Sequence, residues 1–192
     1  MFSFVFHRTF LEYLYLGSLL CCYFSFWYGS LNFFNHKTQT TKIHRVVLRL
    51  LTLFVWNYSY LTILRGDSTV GGRLILSLVF NTYALVLFWI TLNHVKNIHF
   101  AVIFDEMGPK NFHKSGPYKL IRHPFYSSYV FVYLGLVISQ NSILLCMAAL
   151  FLIGYYFYAA KTEEKNFLSS AFASEYANYQ SKTSMLVPFK LF

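Results

Sequence analysis

Three long apolar runs separated by short polar segments fill the first half of the chain, at residues 9–34, 46–64 and 74–92. Each comes close to, or exceeds, the ~20 residues an α-helix needs to cross ~30 Å of hydrocarbon. The first is too long for the core of a secretory signal and lacks a small-x-small cleavage site, so it predicts a retained transmembrane helix. Glu12 and Arg49 lie near enough to the ends of their runs for the side chains to reach the interface. A fourth apolar stretch, residues 125–160, would form a helix ~54 Å long at 1.5 Å per residue, too long for one crossing. The polar cluster Ser139-Gln140-Asn141-Ser142 interrupts it midway and suits a turn. Two antiparallel helices are therefore expected there, each about long enough to cross if slightly buried or kinked. The pattern predicts an all-α integral membrane protein of about five transmembrane helices. The last two form a helical hairpin, and a cytoplasmic C-terminal helix follows.

Composition sharpens the class without changing it. Of 192 residues, 56% are hydrophobic and 12% charged, about half the charged share of a typical soluble domain. The 22 Phe and 16 Tyr exceed what interfacial belts need, and most are read as helix packing. Cys21, Cys22 and Cys146 all sit in apolar runs without metal-ligand or C-x-x-C spacing, so no disulfide framework is expected. His94, His99 and His113 fit no zinc spacing, and no metal is expected. The sequon Asn57-Tyr58-Ser59 lies inside a predicted span and carries no meaning there. No lipidation motif marks either end. Residues 99–108, "HFAVIFDEMG", suit either a short interfacial helix or a buried loop.

Charge sets the topology. Sixteen Lys and Arg face seven Asp and Glu, but the cations lie in loops between apolar runs and not on a soluble basic face, so no nucleic-acid partner is expected. With a hairpin over residues 125–160, one membrane face receives twelve cations, from Lys37 through Arg122 to Lys190. The other face receives Arg8, Arg65 and Arg73. A single crossing would level the split to eight against seven. The positive-inside bias thus favours the hairpin, with the N-terminus outside and the C-terminus in the cytoplasm.

The hairpin has a chemical consequence. It returns Glu163 and Glu164, in "KTEEKNF", to the face that holds Arg122 and His123, in "SGPYKLIRHPFYSSY". Lys161 and Lys165 need no more explanation than headgroup anchoring. The acids gain little from an anionic leaflet, so the two clusters together form a candidate site.

At these residues the chain resembles the isoprenylcysteine carboxyl methyltransferases and the related phospholipid methyltransferases, both integral membrane enzymes. The pattern is carried by Gly116-Pro117-Tyr118, Arg122-His123-Pro124 with Tyr126, Glu163-Glu164, then Phe172, Glu175-Tyr176, Tyr179 and Pro188, over roughly the last eighty residues. Ser128 and Ala173 stand where the family has glycine, and Lys182 alone remains of a cation-rich stretch. The resemblance implies S-adenosylmethionine as cofactor, at the cytoplasmic end of the hairpin, and a lipid-like or lipidated substrate arriving through the bilayer among membrane lipids. Residues 1–93 would then supply three N-terminal transmembrane helices, and residues 94–192 the cofactor-binding catalytic part, all within one membrane domain. Arg122, Glu163 and Glu164 are the implied catalytic residues. Tyr118, Arg122, His123, Pro124, Tyr126, Glu163 and Glu164 are the implied cofactor-binding ones.

The chemistry of these groups agrees. A glutamate pairs an ammonium or accepts ribose hydroxyls, Arg122 and His123 hold a carboxylate, and Tyr118 and Tyr126 offer faces to adenine or a sulfonium methyl. The leading expectation is carboxyl O-methylation of an isoprenylcysteine-like group, since a carboxylate is already ionised at neutral pH. The alternatives are methylation of a phospholipid or another small molecule, an NADPH-dependent sterol-type membrane reductase sharing an Arg-His-x-x-Tyr element, and a catalytically silent scaffold. The Glu163-Glu164 pair and the lack of a phosphate-binding Arg cluster weigh against the reductase.

Overall fold

The computed structural model describes residues 10–32, 34–35, 42–65, 71–96, 100–101 and 113–188. The three N-terminal apolar runs form α1 (Phe10–Asn32), α2 (Lys42–Arg65) and α3 (Gly72–Val95). After a 3-10 turn at Gly116–Lys119 come α4 (Pro124–Ser139), α5 (Ile143–Leu168) and the short α6 (Ala173–Lys182). Within residues 99–108, only Phe100–Ala101 are described; they pair in parallel with Phe34–Asn35. The rest of that segment lies outside the described residues.

The all-helical membrane fold and the hairpin agree with the sequence pattern. Helices α1, α2, α3 and α5 are long and apolar enough to span a membrane, and α4 is a shorter apolar helix. The two arms of the hairpin are unequal. At 1.5 Å per residue α4 is ~24 Å long and α5 ~39 Å. Helix α4 tolerates its shortness because it is buried in protein, packed between α3 and α5, and its ends need not meet lipid. Helix α5 overshoots it, and its last turns carry Glu163 and Glu164 past the start of α4.

The larger of two apolar core clusters includes Tyr15 and Leu19 of α1, Val55 and Ile63 of α2, and Leu136 and Leu152 of the hairpin. The smaller joins Phe88 and Leu92 of α3 to Phe125 of α4. Glu12 is buried against protein in the first turn of α1, where unpaired backbone N–H groups and the helix dipole favour an acid. The hairpin turn is tied down by the N-terminal helices. Tyr15 Oη lies 2.5 Å from Ser139 Oγ, and Thr62 Oγ1 lies 2.7 Å from Gln140 Oε1. Such polar links between helices satisfy groups that lipid could not.

Helices α3 and α4 approach closely at Gly135. Ser77 Oγ donates to the Gly135 carbonyl at 2.8 Å, and a Cβ on Gly135 would stand 3.3 Å from Asn81 Oδ1 and 3.4 Å from the Ser77 carbonyl. Small residues at such crossings let helix backbones approach in a membrane. Gly135→Leu is expected to cost ~1–3 kcal/mol by overpacking, seen as a lower thermal midpoint in detergent. Gly135→Ala, which asks its neighbours to yield by only a few tenths of an ångström, is expected to lower it far less.

Candidate functional site

Gly-Pro-Tyr places the first part of the site. Gly116 has φ +57°, and a Cβ there would fall 2.7 Å from the His94 ring, so both the backbone and the space demand glycine. His94 Nε2 meets Ser115 Oγ at 2.8 Å and fastens the turn to the end of α3. Pro117 is the second residue of the 3-10 turn, and Tyr118 packs into a cluster with Phe88, Leu92, Val95 and Phe125. Arg122 and His123 follow in non-helical backbone, the conformation a residue before proline favours, and Pro124 opens α4 at its first position.

The tail runs back along this segment. Arg122 N donates to Ser184 O at 2.8 Å, Ser184 N to Leu120 O at 3.2 Å, and His123 N to Met185 O at 3.1 Å. Ser127 Oγ donates to Leu186 O at 2.5 Å. Residues 183–188 thus form a strap over the start of α4. The aromatic motif after the glutamates anchors it: Tyr176 stacks on Phe167 of α5 with centroids 4.7 Å apart, and Tyr179 Oη donates to Tyr118 O at 2.6 Å. Lys114 and Glu175 pair at the exposed surface, where an ion pair contributes little.

The hairpin brings the two polar clusters into contact. Arg122 Nε donates to Glu164 Oε1 at 2.6 Å, and His123 Nε2 lies 3.1 Å from the same oxygen. Glu164 Oε2 accepts from Gln180 Nε2 at 2.8 Å. Arg122 Nη1 donates to the carbonyls of Gln180, at 3.1 Å, and Thr183. On the other side of the imidazole, Nδ1 lies 3.3 Å from Glu163 Oε2. Tyr126 stacks on His123 with centroids 5.5 Å apart, and Tyr156 of α5 lies 5.8 Å beyond. All seven residues expected from the sequence therefore converge, with Tyr118 on the flank of the cluster.

The two glutamates differ sharply. The Glu164 side chain is 6% exposed and accepts three hydrogen bonds, whereas that of Glu163 is 32% exposed and meets His123 and the Tyr126 hydroxyl. Ser128, the unexpected substitute for glycine, is buried and spends its hydroxyl on Pro124 O at 3.0 Å, within its own helix. Sequence reading missed Gln180 and the strap carbonyls. Their contacts cross 16 to 61 residues of chain, and backbone carbonyls leave no mark in a sequence.

Burial opposes a charge on His123, but the hydrogen bonds and charges of Glu163 and Glu164 outweigh it and raise its pKa. A raised folded-state value means that this contribution to stability is fully present below the ordinary imidazole value, about 6.5, and is lost as the pH climbs through the raised one. The thermal midpoint of the wild type is thus expected to fall on alkalinisation by more than that of His123→Gln. Parallel pH curves would count against the ion triad.

The helices and site together define an all-α integral membrane protein with a buried ionic centre at one end of the α4–α5 hairpin. A sequence model of phospholipid methyltransferases matches residues 73–175, more than half of the chain, from the start of α3 into the first turn of α6. The chain belongs to the phospholipid methyltransferase family and is a membrane methyltransferase. No curated protein and no solved structure matches it.

Proposed function

We propose that the protein is an S-adenosylmethionine-dependent methyltransferase acting on a lipid-like or lipidated acceptor, with carboxyl O-methylation of an isoprenylcysteine-like group as its reaction. The observation that carries the reading is the half-open Glu163 carboxylate at the rim of the buried Arg122–His123–Glu164 cluster. The cofactor supplies an activated methyl group on a sulfonium. The chemistry of the groups suits it: Glu163 offers an oxygen to an ammonium or ribose hydroxyl, and the Arg122 guanidinium offers positive charge to a carboxylate. The Tyr118 and Tyr126 rings pack against protein neighbours and wall the cluster. Glu164 and Pro124 hold Arg122 and the start of α4 in place. Residues 94–192 would form the cofactor-binding catalytic part, and the helices before them the lipid-facing entrance.

The state of the side chains favours a carboxylate acceptor. His123 lies between two carboxylates that favour its charged form and oppose its use as a base, and Glu164 already accepts three hydrogen bonds. An acceptor already ionised at neutral pH needs no proton removed, so the protein's part is alignment and exclusion of water. The family match gives the second reading, methylation of a phospholipid amine, for which the partly exposed Glu163 is the candidate base.

Calorimetric titration of the detergent-purified protein with S-adenosylmethionine and with NADPH tests the cofactor. Binding of S-adenosylmethionine alone is expected, and binding of NADPH alone overturns the reading. Transfer of labelled methyl to a farnesylcysteine analogue, compared with phosphatidylethanolamine vesicles, tests the acceptor. The charge distribution supports an N-terminus outside and a site and C-terminus in the cytoplasm. Cysteines placed beside residues 122 and 163 should both be shielded from an impermeant thiol reagent applied outside cells.

A further inference from the structure

We infer that Gln180 is a positioning residue of the cofactor site, closing a ring of hydrogen bonds that holds Arg122 and Glu164 and so keeps Glu163 and His123 in their ligand-facing places. This rests on the methyltransferase reading above. Gln180 lies on α6, beyond the segment the family model covers.

The ring is built from three residues. Arg122 Nε donates to Glu164 Oε1 at 2.6 Å, Gln180 Nε2 donates to Glu164 Oε2 at 2.8 Å, and the Gln180 carbonyl accepts from Arg122 Nη1 at 3.1 Å. Gln180 thus grips the acid with its side chain and the base with its backbone. A carboxylate oxygen only accepts, so the amide nitrogen is the end that faces Glu164. The residue can hold that position because α6 is itself pinned, through Tyr176 on Phe167 and Tyr179 on the Tyr118 carbonyl.

The consequence reaches the ligand side through His123. Its two nitrogens face different glutamates, Nε2 facing Glu164 at 3.1 Å and Nδ1 facing Glu163 at 3.3 Å. Without the Gln180 donor, Oε2 of a buried carboxylate loses its partner and Glu164 turns to recover one. The imidazole follows it, and Glu163 loses its fixed place. Among the described residues, Arg122, His123 and Glu163 are the charged groups of this cluster, and Tyr176 and Tyr179 of α6 are the titratable groups that face Glu164 from that helix.

The experiment uses the full chain in lipid nanodiscs, as wild type, Gln180→Leu and Gln180→Glu. S-adenosylmethionine affinity is measured by calorimetry between about pH 8 and about pH 5, and His123 is titrated by imidazole nitrogen NMR without cofactor. Gln180→Leu is expected to weaken binding roughly tenfold or more across this range, the usual worth of a hydrogen bond to a charged group. Gln180→Glu should weaken it at high pH, where two carboxylates oppose each other. Its affinity should recover on acidification, when the new carboxyl protonates and donates as the amide did. A purely packing role would give no such recovery. The His123 midpoint should move in both variants.

Wild-type affinity in Gln180→Leu, or no acid recovery in Gln180→Glu, overturns the inference. If the wild type does not bind the cofactor, the methyltransferase reading fails. The NMR titration still decides the ring, and unmoved midpoints in both variants overturn it.

Discussion

Arg122→Ala is expected to abolish S-adenosylmethionine binding and to cost the folded site ~3–5 kcal/mol, the usual penalty for removing one partner of a buried ion pair. Arg122 and Glu164 are 8% and 6% exposed at their side chains, so solvent screens the pair little. Without the guanidinium, Glu164 keeps its charge in a buried place with His123 and Gln180 alone to offset it. The carbonyls of Gln180 and Thr183 lose the donor that joins the tail to the start of α4. The loss should be local. The apolar spans that set insertion are untouched, so the variant is expected in the membrane and extractable. Thermal denaturation, protease sensitivity of the segment after α5, and a cofactor titration measure the three effects. Full affinity in this variant would mean the ionic cluster is not the cofactor site.

Glu163→Gln should separate binding from stability. Glu163 meets only His123 Nδ1 and the Tyr126 hydroxyl among the described residues, and a third of its side chain is open. Removing the charge is expected to weaken S-adenosylmethionine binding by about 10- to 100-fold, the loss of a charge-assisted hydrogen bond. The thermal midpoint should move much less than in Arg122→Ala. Lys165→Ala, two residues further along α5 and exposed, serves as the control and should leave both readouts unchanged. A normal affinity in Glu163→Gln and Arg122→Ala together would show that the ligand sits elsewhere.

The contrast between these two variants could not have been drawn from the sequence, where Glu163 and Glu164 are adjacent and alike. A helix turns ~100° per residue, so two neighbours on α5 face different surroundings. Here one faces Arg122 and α6, and the other faces the open side of His123. Ser128 is a similar case. As a departure from the family's glycine it suggested a change at the site, but in place its hydroxyl bonds to Pro124 O and leaves the helix regular. The two tyrosines of the motif after the glutamates are fasteners, Tyr176 on Phe167 and Tyr179 on the Tyr118 carbonyl.

Hydropathy and loop charge by themselves determined the membrane class, the three N-terminal helices, the turn at residues 139–142 and the return of two acids to the face of Arg122 and His123. These are local or additive properties: an apolar run must leave water wherever it sits, and a polar cluster in its middle must find partners or turn back. Only the tertiary structure decided that α4 is short and buried while α5 overshoots it, that Tyr15 and Thr62 pin the turn, and that Gln180 and the strap complete the cluster. Each of these depends on hydrogen bonds or packing between segments far apart in the chain. Such contacts follow from how helices stack, which no single stretch of sequence encodes.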